Sequence, residues 1–443
     1  MGEAPRHRID LKPPFLWGVA TSAYQIEGAA KNDWTEWERG GVLRQRGIRC
    51  GAGAGHADRW RADLALLPTI GANAYRFSIE WSRVEPRRGE FDPAELAHLA
   101  ERVEYLERHA IEPVVTLHHY THPDWFWREG GWENPDSVSW FRRLAEEAGA
   151  ALPNVRTWVT LNEPIVFLLG GYMGAMIPPG KSSFSAAAKA LEHLLRAHTE
   201  AAAALAARPG GGRAGIAHNM LDFAPDRPGS ALDRRLAAAG QALYNLALVE
   251  AVATGEMNWS FPGEGRTSFS LPELPRVTGF FGVNYYSRVH LRFRGVLGPF
   301  GEFFYRDREG RGLTDMGWEI HPGGFDRVLR VAAAAGLPIL VTENGIATED
   351  DRLRRSFLHE HALILSHHLA AGTRIEGYFY WSLLDNFEWL EGFRPRFGLF
   401  EVDYATFARR RRPSADLFAA LGRELIGADV SSQASLRPFS GRR

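Results

Sequence analysis

Cysteine is almost missing from this chain: Cys50 stands alone among 443 residues. An intrachain disulfide is therefore impossible, and a zinc site built on several thiolates is excluded. Net charge is nearly missing as well. Fifty-two Lys and Arg face 53 Asp and Glu, for a formal charge of −1, which argues against nucleic acid or an anionic membrane as the main partner. No run of apolar residues is long and uncharged enough to predict a bilayer span. Met1 to Asp10 has two arginines with no apolar stretch behind them, so no secretory signal is expected and a cytoplasmic location is the default. No break in composition is long enough to read as an interdomain linker.

What the chain has is apolar bulk, with 45% hydrophobic residues, and a regular alternation of two periodicities. Short apolar runs that read as strands are Phe15–Ala20, Asn73–Ile79, Pro113–Leu117, Arg156–Leu161, a weak Ala214–His218, Gly279–Val283, Pro338–Thr342 and Ile375–Trp381. Between them lie helical patterns at Asp58–Ile70, Pro93–Ala110, Pro135–Leu152, Ser185–Ala207, Leu232–Ala253, Gly323–Ala335 and Asp351–Ala371, with Pro413–Leu425 last. Eight strand–helix units predict an α/β fold, a single-domain (β/α)8 barrel over residues 11–427. Residues 428–443 carry no apolar periodicity and are expected to form a flexible tail.

Chemistry is expected where strands end, because the C-terminal face of such a barrel carries the active site. Two strand ends share one design. Trp158-Val-Thr-Leu-Asn-Glu-Pro164 and Pro338-Ile-Leu-Val-Thr-Glu-Asn-Gly345 each run apolar into a glutamate and stop at a turn former. Two carboxyls on rigid strand ends suit glycoside hydrolysis, in which one group donates a proton and the other attacks as an anion. Like charges a few ångströms apart split such roles between identical side chains.

Five motifs in order then resemble family 1 glycoside hydrolases, the β-glucosidase and β-galactosidase family, from Phe15 to about Leu425. They are Phe15-Leu-Trp-Gly-Val-Ala-Thr-Ser-Ala-Tyr-Gln-Ile-Glu-Gly28, Tyr75-Arg-Phe-Ser-Ile-Glu-Trp-Ser-Arg83, Thr160-Leu-Asn-Glu-Pro164, Val341-Thr-Glu-Asn-Gly345 and Trp381-Ser-Leu-Leu-Asp-Asn-Phe-Glu-Trp389. The resemblance implies Glu163 as acid/base and Glu343 as nucleophile of a retaining β-glycosidase, with carboxyls about 5–5.5 Å apart and no cofactor or metal. It implies supporting roles for Arg76, Asn162 and Tyr286. Gln25, His119, Asn284, Glu388 and Trp389 would hold the sugar, with Trp381 as the floor under its ring. Trp318 would line the leaving-group side, with Trp127 and Phe397 as lesser candidates. The implied partner is a small neutral β-glycoside or short oligosaccharide. No nucleic acid or membrane partner is expected, and oligomeric state is left open.

The chain also departs from the family. Tyr120 and then His122 follow the sugar-binding histidine. Segments around 181–213 and 255–278 look short; as loops over the barrel mouth they would leave the cleft open. Glu388 at the sugar's C4–C6 edge disfavours a 6-phosphorylated sugar, although Arg394 and Arg396 follow it. Alternatives from the same residues are a transglycosidase, a 6-phospho-β-glycosidase, a catalytically silent sugar-binding barrel, and a metal-dependent hydrolase using His118, His119 and His122. The last lacks a carboxylate at ligand spacing. Gly51–Gly55 has no strand before it and no Lys-Ser/Thr after it, so it reads as a loop, and Pro209–Gly212 as a turn. Arg409–Arg412 reads as a solvated face.

Overall fold

The computed structural model describes residues 15–28, 30–261, 263–294 and 302–427. The expected tail at 428–443 and the Met1–Asp10 segment lie outside the described residues. Eight parallel strands close on themselves: β1 (Leu16–Ala20), β2 (Ala74–Ser78), β3 (Glu112–His118), β4 (Thr157–Asn162), β5 (Arg213–Pro225), β6 (Thr278–Arg292), β7 (Ile339–Asn344) and β8 (Ile375–Trp381). Each pairs with the next, β6 pairs with β7, and β8 returns to β1. Outside them run α1 (His56–Leu64), α2 (Pro93–Arg108), α3 (Ser137–Ala151), α4 (Phe184–Ala207), α5 (Ala231–Thr254), α6 (Pro322–Ala333), α7 (Asp351–Ala370) and α8 (Pro413–Gly427). The fold is a single-domain (β/α)8 barrel.

The two-residue period of a strand divides the side chains. Ala20, Ala74, Val114, Val159, Ala217, Leu340 and Phe379 point inward and form the barrel's inner cluster. Trp17, Tyr75, Phe77, Val115, Trp158, Ile216 and Tyr378 point outward and meet the helices. The interior is tight: a Cβ on Gly18 would come within 2.5 Å of the Ala74 carbonyl and 2.8 Å of the Phe379 ring. On the helix side, α2 begins where Asp92 accepts from the Ala94 amide at 2.8 Å, with Pro93 in the first turn. Its Leu99, Val103 and Leu106 are buried, each worth about 1.5–3 kcal/mol of apolar burial.

Four readings of the sequence change. β5 and β6 are longer than expected, 13 and 15 residues, because their distal halves pair as a ribbon from Asp222↔Arg288 to Pro225↔Leu291 that rises above the barrel. This pairing gives strand structure to Asn219–Pro225, which has little apolar alternation of its own. The segment 181–213 is mostly α4, and 255–278 follows α5 and contains the hairpin of Glu256–Phe261 and Gly265–Ser270. The hairpin packs along the barrel's flank, with Trp259 and Phe261 against Phe184 at the start of α4, and the residues that line the cleft come from other segments.

Helix α5 is 24 residues and apolar enough by length and composition to cross a bilayer, contrary to expectation, but its Leu248, Val249, Ala251 and Val252 are buried in the barrel's outer layer. The Arg409–Arg412 run is not simply solvated. Arg409 holds Asp63, Arg410 holds Glu401, Arg411 holds Asp416 and Arg412 holds Asp385. The last pair is bidentate, 2.9 and 2.8 Å, and Asp385 also accepts from the Gly398 amide at 2.8 Å.

Asp385 is fully buried. Arg412→Met would remove its bidentate partner and leave Arg396 at 3.6 Å as the nearby cation, and loss of one partner of a buried pair costs about 3–5 kcal/mol. A lower urea midpoint at unchanged far-ultraviolet dichroism is the expected outcome. An unchanged midpoint would mean that the pair is dispensable.

Candidate active site

The strand ends at the barrel's C-terminal face surround a cleft of about 390 Å³. Its walls include Gln25, His119, Tyr120, Asn162, Glu163, Tyr286, Trp318, Glu343, Trp381, Glu388, Trp389 and Phe397. The fold thus brings the expected residues from β1, β3, β4, β6, β7 and β8 to one place. Glu163 is the residue at which β4 stops. Its amide still bonds the Ala217 carbonyl at 2.7 Å, its φ is 51°, and Pro164 then opens a short helical turn. Glu343 is carried by β7 beside a register shift against β6. Gly345 permits the close turn that follows, since a Cβ there would lie 1.9 Å from the Trp381 carbonyl oxygen.

A chain of hydrogen bonds joins the two glutamates beneath the cleft. Arg76, inside the barrel on β2, donates to Glu343 Oε1 at 2.7 Å and to Asn162 Oδ1 at 2.6 Å. Asn284 Nδ2 donates to Asn162 Oδ1 at 3.2 Å and to Glu163 Oε1 at 2.7 Å. Tyr286 donates to Glu343 Oε2 at 2.6 Å. Both oxygens of Glu343 therefore accept from donors that favour its anion. Burial works the other way and is the largest influence; together with the nearby Glu163 charge it lifts Glu343 to about 7 despite Arg76.

The sugar-binding candidates cluster on the opposite wall. Glu388 Oε1 accepts from Trp381 Nε1 at 3.1 Å and, at 3.4 Å, from Gln25 Nε2. Burial, with Glu343 and Glu163 adding repulsion, raises Glu388 to about 8. His119 stacks near-parallel on both Trp381 and Trp389, with centroids 5.9 and 6.2 Å away. Burial, aided by Arg76 and His118, holds its pKa well below the ordinary histidine range, so the ring is neutral. Asn162 Nδ2 has no hydrogen-bond partner among the described residues, which leaves a donor for a sugar hydroxyl. Trp318 and Phe397 both lie against Tyr286, at 5.5 and 6.0 Å.

Some expected residues sit elsewhere. Asn284 is fully buried behind the carboxyls, with its amide engaged by Glu163, Asn162 and Thr342. It supports the site rather than walling the cleft. Trp127 lines a neighbouring groove with Trp37 and Met176, and its indole donates to Asp33. His118, His119 and His122 do not converge. His118 Nε2 meets His122 Nε2 at 2.8 Å, and His122 Nδ1 meets Asp33 at 2.8 Å. Arg394 pairs with Glu391, while Arg396 lies near Asp385 and over the Tyr404 ring.

Sequence reasoning missed Val166, Asn219, Leu221, Tyr244, Tyr305 and Met316, which also line the cleft. Asn219 and Leu221 stand on the β5 extension, whose strand character no local pattern announced. Tyr244 sits in the π-helical stretch Gln241–Leu246 of α5 and bonds Asn219 Oδ1 at 2.7 Å. One signal appears only in the backbone. Tyr120, Glu163 and Trp389 all have left-handed φ, at 71°, 51° and 46°. Such conformations cost about 1–3 kcal/mol each in a non-glycine residue and gather where function positions a side chain.

A parallel barrel with two buried, hydrogen-bonded glutamates at its C-terminal face, beside a neutral histidine and an indole wall, defines an O-glycosyl hydrolase. The chain matches the profile of "Glycosyl hydrolase family 1" over residues 7–424, and it belongs to that family. It is 31% identical over 423 residues to "Beta-glucosidase A" of Thermotoga maritima, covering 89% of this chain and 94% of that one. The solved "beta-glycosidase from Pyrococcus horikoshii" superposes with a TM-score of 0.86 at 35% identity, over 93% of this chain and 95% of that one. "Beta-glucosidase from Thermotoga maritima in complex with noeuromycin" does so with a TM-score of 0.84 at 30% identity, over 95% and 99%. This protein is a retaining family 1 β-glycosidase.

Two outcomes follow from the carboxyl environments. As the expected nucleophile Glu343 works as its anion, so kcat/KM should fall as pH drops through its value; the acid limb should lie near 7 rather than near 4.5. Arg76→Gln should move that limb to higher pH, and a limb that stays in place would deny Arg76 its role. Glu388, raised to about 8, is largely protonated at neutral pH in the empty cleft. Its amide isostere Glu388→Gln should raise KM by less than about tenfold, and Glu388→Ala by more than about a hundredfold. Equal losses in the two variants would mean that Glu388 binds as an anion.

Proposed function

We propose that Glu343 is the nucleophile and Glu163 the acid/base for hydrolysis of terminal, neutral β-D-glycosyl residues from small glycosides. The observation that carries this reading is the pairing of environments. Arg76 and Tyr286 donate to the two oxygens of Glu343 and favour its anion, while Glu163 is linked to it through the Asn162–Asn284 bridge. Glu343 attacks the anomeric carbon as the glycosidic C–O bond breaks, and Glu163 gives its proton to the leaving oxygen. Water then attacks the glycosyl ester, Glu163 takes back a proton, and Glu343 leaves. Two inversions give net retention. The free Asn162 amide is placed to meet the sugar 2-hydroxyl, a contact that strengthens as oxocarbenium character grows.

A neutral glycone is supported by the polar end of the cleft. Glu388, Gln25 and the His119 ring face the position of the remote hydroxyls. A 6-phosphate there would not meet Arg394 or Arg396, which are turned to Glu391 and Asp385. The noeuromycin complex of the Thermotoga maritima relative supports a cleft for a single small ligand.

Initial rates on aryl β-glucoside, galactoside, fucoside, mannoside and 6-phosphoglucoside test this reading, with Glu343→Ala in parallel. Turnover of a neutral glycoside should fall by at least about a thousandfold in the variant. Azide should restore part of it and give an inverted glycosyl azide, since the small anion occupies the vacated space. Turnover of the phosphorylated sugar alone would overturn the neutral assignment. A folded protein that binds but turns over none of the panel would mark a sugar-binding barrel.

A further inference from the structure

The acid/base glutamate has two oxygens, and they have unlike surroundings. Oε1 accepts from Asn284 Nδ2 at 2.7 Å and from Asn219 Nδ2 at 3.2 Å. Both amides are oriented by further bonds. Asn284 Oδ1 accepts from the Thr342 hydroxyl at 2.6 Å, and Asn219 Oδ1 accepts from the Tyr244 hydroxyl at 2.7 Å. An amide NH2 can only donate, so Oε1 stays an acceptor in both protonation states. The exchangeable proton must therefore reside on Oε2. The partner of Oε2 is the Tyr120 hydroxyl, a group that can donate to a carboxylate and also accept from a carboxylic acid.

We infer that Tyr120 is a positioning residue: its hydroxyl fixes Glu163 Oε2 as the proton-carrying oxygen and favours the ionised carboxylate that acts as base in the second half of the reaction. This rests on the assignment of Glu163 as acid/base. Tyr120 directly follows His119, at the end of β3. Its ring is clamped edge-on against Trp389 and His119, at 5.3 and 5.4 Å, and tilted against Phe167 at 6.5 Å. The left-handed backbone at Tyr120 aims that ring across the cleft floor. Among the described residues its hydroxyl has no other hydrogen-bond partner. Burial, with Glu163 beside it, keeps the phenol far above its ordinary range, so it remains a donor at working pH.

Other charges act on Glu163 as well. Glu343 and Glu388 repel its anion, and Tyr244 and Tyr286 are neutral neighbours. Arg76 opposes the repulsion through Glu343 and Asn162. Tyr120 adds an O–H donor directly on the reacting oxygen. In the first half-reaction the proton on Oε2 passes to the leaving oxygen as the glycosidic bond breaks. The phenol then turns its own hydrogen to the new anion and holds it while water is deprotonated.

The test is Tyr120→Phe, which keeps the ring and removes the hydroxyl. The alkaline limb of kcat/KM for a 4-nitrophenyl glycoside should move up by about one pH unit, the scale of a lost hydrogen bond to a charged group. For a 2,4-dinitrophenyl glycoside, whose leaving group needs no acid, kcat should fall about tenfold while kcat/KM changes less than about threefold. Azide, an anionic nucleophile that needs no base, should restore kcat. In a Glu163→Gln background, Tyr120→Phe should do nothing further. Site-specific 3-fluorotyrosine at 120, a stronger donor of nearly the same shape, should shift the limb down and serves if the phenylalanine variant does not fold. A stationary limb in either variant, or a change confined to KM, would overturn the inference. Full activity in Glu163→Gln alone would instead remove the acid/base assignment on which it rests.

Discussion

Mutual repulsion among three buried carboxyl groups in one cleft governs this structure. Glu163, Glu343 and Glu388 are each less than a tenth exposed, and each raises the cost of ionising its neighbours. Burial of the side chains weakens the screening that bulk water would give. The protein answers with fixed donors. Arg76 is buried and gives hydrogen bonds to Glu343, Asn162, Thr116 and the Thr342 carbonyl. Asn284 and Tyr286 complete the set. Each donor reaches one carboxyl because its strand places it inside the barrel at the right height.

The barrel is suited to this task because its walls are rigid and its strand ends converge. Inward and outward side chains alternate, so a single strand can supply both a helix contact and a site residue. β2 does so with Tyr75 and Phe77 outside and Arg76 inside. The strain of the left-handed residues at Tyr120, Glu163 and Trp389 is held by surroundings too well packed to relax. Glu163 shows the trade directly. Its backbone abandons the strand, Pro164 prevents the ladder from resuming, and the carboxyl is turned into the cleft.

Much of this was legible in the chain itself. Strand–Glu–turn former is a local pattern, and a period of two or of 3.6 needs no tertiary information to read. The eight units and the five motifs therefore led to Glu163, Glu343, Gln25, His119 and Trp381, which the barrel brings into one cleft. The reading failed where pairing, not pattern, creates the element. The distal half of β5 is strand because β6 lies beside it, and with it come Asn219 and Leu221. The 255–278 segment was placed over the mouth, but its hairpin packs along the flank against α4 and α5. The long apolar helix α5 looked unremarkable, yet its π-stretch carries Tyr244 to the hydrogen bonds around Glu163.

By itself the sequence determined the class of fold and the two carboxyls at its centre, because strand alternation and chain-stopping residues act locally. Which partner each oxygen meets was decided only in three dimensions. Arg76 and Glu343 are far apart in the chain and meet because a closed barrel brings β2 and β7 to one interior. Tyr120 meets Glu163 because neighbouring strands end at the same height. The four arginines before α8 read as a solvated run, and each found a different carboxylate. A hydrogen bond is directional and short, so it depends on angles and distances that only the assembled barrel defines.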